Sequence, residues 1–412
     1  MAAKKEAAMS SRKAPILILV ALLLAGMSCQ KTRLPSGQAS ESGMSQDQLN
    51  RIDVILKEAI RRGEIPGAVV VVGRKGKVVY RRAFGLSQVV PQALPMAKDM
   101  IFDLASLTKP VATAPSIMIL AEQGRLSLTE KVKDYVPEFE PYLDETGKPG
   151  EDARLWHLLT HTSGLPPYLS STDPAELEKM LGPSIATADL VAIIAKLKKS
   201  DPPGKAFHYS CLGYITLAHI IRQITGQTVA QFAAEHIFRP LRLEHTFYNP
   251  PAAFKDKCVP TQVLDGNPLR GIVHDPLARL QGGVSGNAGL FSTADDLAVF
   301  CQMILNKGTF EGKKILSPLT VERMTEVYPQ AAFAGYGLGW DLDSDYSTNG
   351  GDLFGPRSFG HTGYTGTSMW IDPETDIFLI FLTNRIHPDD KGSIVALRSR
   401  LANVVAAALL TK

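Results

Sequence analysis

The sequence predicts an α/β fold of the α+β type. One antiparallel sheet is built from both chain ends, terminal helices flank it, and a mostly helical subdomain is inserted between the ends. Three observations point there. GAVVVVGRKGKVVYRRAFG (67–85) reads as two strands around a turn at Lys75–Gly76. Far downstream, TGTSMWID and IFLIFLTN read as a second strand pair turning at PETD. The stretch between, about 101–330, has a mostly helical or irregular pattern, so the economical arrangement joins both strand pairs in one sheet.

Taken in order, the chain opens on a leader. Lys4, Lys5, Arg12 and Lys13 precede the apolar run APILILVALLLAGM (14–27). That run is too short to span a membrane comfortably and reads as an export signal, residues 1–28. Cys29 follows Ser28 directly and resembles the lipid-attachment cysteine of bacterial lipoproteins, although Gly26 stands where such signals usually carry Leu. The leader holds four positive charges and one negative, which is the whole of the chain's formal +3. The mature chain is then near neutral, and no surface for nucleic acid follows. With Cys29 lipidated, Cys211, Cys258 and Cys301 remain, too few for a disulfide scaffold.

QKTRLPSGQASESGM (30–44) is polar and turn-rich, so residues 29–45 are expected to form a flexible tether. Ser45 and Gln48 match a capping box ahead of Leu49, Ile52, Leu56 and Ile60 at helical spacing. Ile394, Leu397, Leu401, Val404 and Val405 mark a closing helix within 390–410. A composition of 45% hydrophobic and 21% charged over 412 residues suits a large folded core. The predicted division is one domain over 46–410, with a sheet region (46–100 and 331–410) and a helical region (101–330).

DLASLTKPVATAPSIMIL (103–120) is nearly all apolar or small, yet Ser106 and Lys109 share one face near its start. Asp103 and Pro110 suit a helix start, and Pro115 is expected to kink the helix. There Ser106 feels the positive end of the helix dipole, which favours an oxyanion. Lys109, one turn deeper and desolvated, is expected to have a lowered pKa and to accept or relay a proton. Ser-x-x-Lys also occurs at Ser10 and Ser28, where it means nothing. Alone, it is equally the pattern of a capping serine beside a lysine that reaches solvent. GKAFHYSCLGYITLAHII (204–221) adds Tyr209 on a turn before an apolar helix, and a phenol beside an ammonium can serve as general base. FGHTGYTGTSMWID (359–372) adds His361, Thr362 and Gly363 where a strand begins, and its edge amides can bind an oxyanion.

Other candidates are weaker. His157 and His161 have an i, i+4 spacing but lack the Glu of His-Glu-x-x-His and a third ligand nearby. They read as structural, and no metal or cofactor is expected. Packing is the default for Cys211 as a thiol. No Gly-x-Ser-x-Gly elbow occurs, which excludes the α/β-hydrolase fold.

The ordered motifs Ser-x-x-Lys, Tyr-x-x and His-Thr-Gly resemble those of the penicillin-recognising serine hydrolases. These comprise class C β-lactamases, D-alanyl-D-alanine carboxypeptidases and related esterases. LLTHTSGLP (158–166), GNAGLFSTADDLAVF (286–300) and YGLGWD (336–341) are similar to that family's connecting segments. The resemblance runs from about residue 46 to 410. It implies a β-lactamase/transpeptidase-like fold with the site between sheet and helical region. It also implies that Ser106 is the acylated nucleophile and that Lys109 and Tyr209 are the proton-transfer pair. His361, Thr362 and Gly363 then lie beside the substrate, and the amides of Ser106 and Tyr364 form the oxyanion hole.

Two positions depart from the family pattern. Cys211 stands where Asn is usual two residues after the Tyr, and His361 stands where Lys is usual. A thiol is a poor substitute for an amide that holds a substrate amide, and a partly charged imidazole attracts a carboxylate less. The expected function is thus an exported, lipid-anchored serine hydrolase facing the periplasm or exterior. It cleaves an ester or amide through an acyl-enzyme, with short neutral esters preferred. The alternative is a D-alanyl-D-alanine carboxypeptidase or β-lactamase, the former acting on peptidoglycan-derived substrates. The rival of another class is a non-catalytic envelope binding protein, which has no need of Ser106, Lys109 and Tyr209 together. Activity on carboxylate-bearing substrates is expected to improve below about pH 6.5, where a free imidazole gains its proton.

Overall fold

Four consecutive valines cannot all hide on one face of a strand whose side chains alternate. The strand that carries them is accordingly buried on both faces, at the centre of the molecule. A computed structural model describes residues 34–264, 266–344 and 347–410. Helix α1 (Arg51–Arg61) leads into β1 (Gly67–Arg74), β2 (Lys77–Gln88) and β3 (Leu94–Pro95). The inserted region holds β4 (Phe102–Asp103), α2 (Ala114–Glu122), α3 (Cys211–Thr225), β5 (Phe247–Tyr248), β6 (Leu290–Ser292) and α4 (Ala294–Leu305) among other short helices. The chain closes with β7 (Phe359–Thr362), β8 (Ser368–Asp372), β9 (Ile377–Thr383) and α5 (Val395–Ala407).

The main sheet has the order β7-β8-β9-β1-β2-β3 and is antiparallel throughout. Its central pair, β1 with β9, joins the two chain ends, with Val70 opposite Phe381 and Val72 opposite Leu379. The β1–β2 turn has both Lys75 and Gly76 at positive φ, 51° and 73°, the mirror-image hairpin turn that matches strand twist. Ala68, Val70 and Val72 pack against Ile52 and Leu56 of α1 and Leu397 and Leu401 of α5. Val69 and Val71 face the other way, into the core shared with Leu297 and Phe300 of α4. The inserted region also contains a three-stranded sheet, β4-β6-β5. Strands of two or three residues are too short to show a period, which is why the sequence does not announce them.

The expected flexible tether is corrected over residues 34–45. Leu34, Ala39 and Met44 are buried. Gly37 N–H donates to Val78 O at 3.0 Å, and Met44 bridges to Leu409. Arg74, only 1% exposed, donates from Nη1 to Ser42 O (2.7 Å) and Gly43 O (2.8 Å) and from Nε to Thr375 O (3.1 Å). The leader, Cys29 and residues 30–33 lie outside the described residues. Among the described residues no helix is long and apolar enough to cross a membrane.

Replacing Arg74 with Met would leave these carbonyls without their charged donor, at a cost of about 2–3 kcal/mol. The expected outcome is a lower Tm together with new protease cleavage within 34–45. An unchanged Tm and an uncut segment would show that Arg74 does not hold it.

Candidate active site

Ser106 follows a constrained step in the chain. Asp103 ends β4, its Oδ1 accepting the Ala105 N–H at 2.9 Å and its Oδ2 the His274 N–H at 2.7 Å. The first bond closes a turn that holds Ala105 at φ 47°, a conformation that costs a residue with a Cβ on the order of 1–3 kcal/mol. A short 3₁₀ turn, Ala105–Leu107, then presents Ser106. The expected kink at Pro115 presumes a helix begun at Ser106, and the regular α-helix begins only at Ala114. The turn Lys109–Thr113 widens instead to π geometry, closed by Ala114 N–H on Lys109 O. Pro115 therefore falls in the first turn of α2, where its missing N–H costs nothing.

Lys109 is wholly buried. Its Nζ lies 2.9 Å from Ser106 Oγ, 3.2 Å from Asn287 O and 3.6 Å from Cys211 Sγ. Tyr209 hydrogen-bonds with both Lys109 and Ser106 and offers its ring to the ammonium at 4.9 Å. Burial disfavours the Lys109 ammonium, but the neighbouring acids Cys211 and Tyr209 outweigh it, so its pKa lies above the usual value rather than below. The expected lowering is corrected accordingly. Burial pushes the Tyr209 phenol up as well, against the pull of Lys109. Fully protonated, this pair has no room for the Ser106 proton. It becomes a base after losing one proton of its own.

The Tyr209 turn is braced from behind. His161, at φ 59°, accepts the Ser210 N–H at Nδ1 (3.0 Å) and packs its ring 4.4 Å from that of Tyr209. Ser210 Oγ donates to Pro166 O at 2.7 Å, and Cys211 N–H to Pro167 O at 2.9 Å. The segment LLTHTSGLP is thus a support on which the Tyr209 turn rests. His157 points elsewhere, accepting the Arg154 N–H at 2.8 Å and stacking on Trp156.

The other half of the site arrives on β7 and the turn after it. Gly363 N–H donates to Thr367 O at 2.7 Å. Thr365 Oγ1 donates to Asp103 O at 2.7 Å and Thr367 Oγ1 to Leu104 O at 3.0 Å, tying the turn to the residues that lead into Ser106. A Cβ on Gly363 would lie 2.2 Å from Thr367 Oγ1 and 2.4 Å from Leu104 O, so only glycine permits this approach. Tyr364 N–H has no acceptor among the described residues. A cavity of about 280 Å³ opens at Ser106, lined also by Tyr209, His361, Thr362, Gly363 and Tyr364. These residues, with Lys109 behind them, are those the sequence brings forward.

Two of the sequence-predicted residues have other roles. His361 is 3% exposed, and its Nδ1 meets Thr362 O at 2.8 Å. Burial and the charge of Lys109 hold its pKa down to about 3, so it is a neutral imidazole and no cation. The expected gain below pH 6.5 on carboxylate-bearing substrates has no basis in that environment. Cys211 does not line the cavity. Its thiol, pushed up by burial, sits against Lys109 and holds the lysine rather than a substrate. Asp103, His161 and Asn287 are functional supports that sequence reasoning missed. Asp341 is another missed residue: it lines the cavity, and burial pushes its carboxyl up to about 7. The signal for His161, Asn287 and Asp341 is position inside LLTHTSGLP, GNAGLF and YGLGWD, and for Asp103 its place at the expected helix start.

Comparison with known proteins agrees with this fold. Residues 52–403 match the family described as Beta-lactamase. The N-acetylmuramyl-L-alanine amidase of Bacillus subtilis (strain 168) is 32% identical over 375 residues, 85% of this chain and 83% of its own. Among solved structures, EstCE1, a hydrolase with promiscuous acyltransferase activity, superposes with a TM-score of 0.71 at 24% identity, over 87% of this chain and 99% of its own. The octameric penicillin-binding protein homologue from Pyrococcus abyssi gives 0.67 at 25% identity, over 88% and 77%.

Both members of the Lys109–Tyr209 pair lie above their usual values, so acid fills the pair and removes the base. The kcat/KM for a neutral ester is expected to rise with pH on its acid limb, with a slope near one. His361 stays uncharged across that limb. The ratio of kcat/KM for a carboxylate-bearing substrate to that for a neutral ester is therefore expected to stay flat from about pH 5 to 7.5. A ratio that climbs on acidification would return His361 to its expected role as a cation.

Proposed function

The chain belongs to the beta-lactamase family of serine hydrolases, and from that premise we propose that it cleaves uncharged esters or amides through an acyl-enzyme on Ser106. The observation that carries this reading is the 2.9 Å contact between Ser106 Oγ and a fully buried Lys109, with Tyr209 bonded to both. Ser106 Oγ attacks the carbonyl while its proton passes to the Tyr209–Lys109 pair. The Ser106 and Tyr364 amides receive the oxyanion, and the pair returns the proton to the leaving group. Water then repeats the sequence on the acyl-enzyme. With His361 neutral and Cys211 turned to Lys109, the wall carries no free cation for a substrate carboxylate at the strand motif among the described residues. That favours short neutral esters over penicillins and D-Ala-D-Ala peptides. A second reading, an amide in a cell-wall fragment, is favoured by the 32% identity to an N-acetylmuramyl-L-alanine amidase.

The test compares kcat/KM for p-nitrophenyl butyrate, nitrocefin, a D-Ala-D-Ala peptide and an N-acetylmuramyl-L-alanyl peptide. The ester is expected to lead both nitrocefin and the D-Ala-D-Ala peptide, and Ser106→Ala is expected to lose about 10³-fold or more while remaining folded. A clear preference for nitrocefin or D-Ala-D-Ala would overturn the neutral-substrate reading. A preference for the muramyl peptide would select the second reading.

We infer further that the enzyme is exported and held at the cell envelope through lipid on Cys29. Several acyl chains anchor firmly where one binds only marginally. Wild-type protein is expected to partition into detergent, and Cys29→Ser to release it. A mature N-terminus elsewhere, with no lipid mass on Cys29, would leave a secreted soluble enzyme.

A further inference from the structure

Arg398 projects from the first turns of α5 into the floor of the catalytic cavity and is 8% exposed. Its Nη2 donates to Gly363 O at 2.9 Å and to Thr367 O at 3.0 Å, and its Nη1 to Asn349 Oδ1 at 3.2 Å. Its Nε is buried without an acceptor. None of these partners is a carboxylate, and the charged side chain that acts on it is a second cation, Arg385. Burial and that like charge hold it down to about 9. Among the described residues no carboxylate pairs with this buried guanidinium; burying it so is costly, and tying a helix to a turn needs no charge. The charge calls for a use beyond packing.

The use lies in the peptide it grips. A trans peptide is planar, with its C=O and N–H pointing in opposite directions. The carbonyl of Gly363 and the N–H of Tyr364 belong to one such unit. Arg398 holds the carbonyl from behind, helped by Gly366 N–H at 3.1 Å, and so turns the N–H forward. That N–H is the one with no protein acceptor, beside Ser106 in the cavity wall. A charged donor on the carbonyl also polarises the unit and strengthens its N–H. The next peptide is fixed in turn, because Arg385 Nη2 donates to Tyr364 O at 2.9 Å.

We propose that Arg398 is the positioning residue of the oxyanion hole, setting the plane of the Gly363–Tyr364 peptide and strengthening the Tyr364 N–H that meets the developing negative charge. This rests on the acyl-enzyme reading above. Arg398 touches no reacting atom. It acts through the peptide, and its hydrogen bonds to Gly363, Thr367 and Asn349 go to the protein rather than to the cavity.

The experiment compares wild type, Arg398→Gln and Arg398→Lys on p-nitrophenyl butyrate, together with inhibition by a short alkyl boronic acid, whose tetrahedral serine adduct mimics the transition state. Arg398→Gln is expected to lose about 10- to 100-fold in kcat, somewhat less than deleting an oxyanion donor outright, with KM changed less than about threefold. Boronate affinity is expected to fall by the same factor. Arg398→Lys, which keeps the charge but not the two-carbonyl grip, is expected to recover part of both. A folded Arg398→Gln with wild-type kcat overturns the proposal, as does a loss seen in KM alone or only with carboxylate-bearing substrates. If Arg398→Gln does not fold, Arg398→Lys decides: a fall in kcat without a matching fall in boronate affinity overturns it. Fluorophosphonate labelling of wild type at Ser106 separates the two levels. No label sinks the hydrolase reading and this inference with it, whereas equal labelling rates in wild type and a folded Arg398→Gln sink this inference alone.

Discussion

Lys109 carries an ammonium with no exposed surface, and burying such a charge without partners costs on the order of several kcal/mol. The protein is arranged around meeting that cost. The lysine spends its donors on the Ser106 hydroxyl, the Asn287 carbonyl and the Cys211 thiol, and lies against the faces of Tyr209 and Tyr214. These partners come from three parts of the chain: Ser106 one turn away, Tyr209, Cys211 and Tyr214 around the start of α3, and Asn287. Asn287 is held by its own side chain on Asp275, and Cys211 by the start of α3. The satisfied charge is what makes Ser106 part of a proton circuit. Burial first, and then that charge, keep His361 neutral at the far wall.

The site is possible because the chain ends meet. The β1–β9 pairing brings residues near 70 against residues near 380, and β7 and β8 extend the sheet to the edge where Gly363 turns. That turn is fastened to Asp103 and Leu104 by two threonine hydroxyls, with no space for a side chain at Gly363. The Ser106 and Tyr364 N–H groups, proposed above to receive the oxyanion, are far apart in sequence and fixed by the same fastening. Asp103 serves both sides: its carbonyl receives Thr365, and its carboxylate sets the turn before Ser106.

Much of this was legible in the residues, for a physical reason. Ser106, Lys109 and Tyr209 stand at helix starts, where local spacing decides which side chains share a face. β1, β2 and β9 show because their apolar runs are long enough to carry a pattern. Residues 34–45 read as loose because their few apolar residues are unevenly spaced and their partners, Arg74, Val78 and Leu409, are remote in sequence. The errors at Lys109, His361 and Cys211 share a cause. Charge state depends on burial and on three-dimensional neighbours, and a motif does not state either. Arg398 was invisible for the same reason, since in sequence it is one more arginine on a closing helix.

The cations around the cavity bear on the proposed substrate preference. Lys109 is committed to Ser106, Arg398 to the carbonyls of Gly363 and Thr367, and Arg385 to Asp390 and the carbonyl of Tyr364. His361, where the family pattern has a lysine, is uncharged. Positive charge is therefore plentiful near Ser106 but already engaged, and what it delivers to the cavity passes through a peptide N–H. Such a site stabilises charge that appears on a carbonyl oxygen during reaction more than charge a substrate already carries. On the proposed reading, the departures from the family pattern and the position of Arg398 express one choice: binding energy is directed at the transition state of acyl transfer, not at a carboxylate on the ground-state substrate.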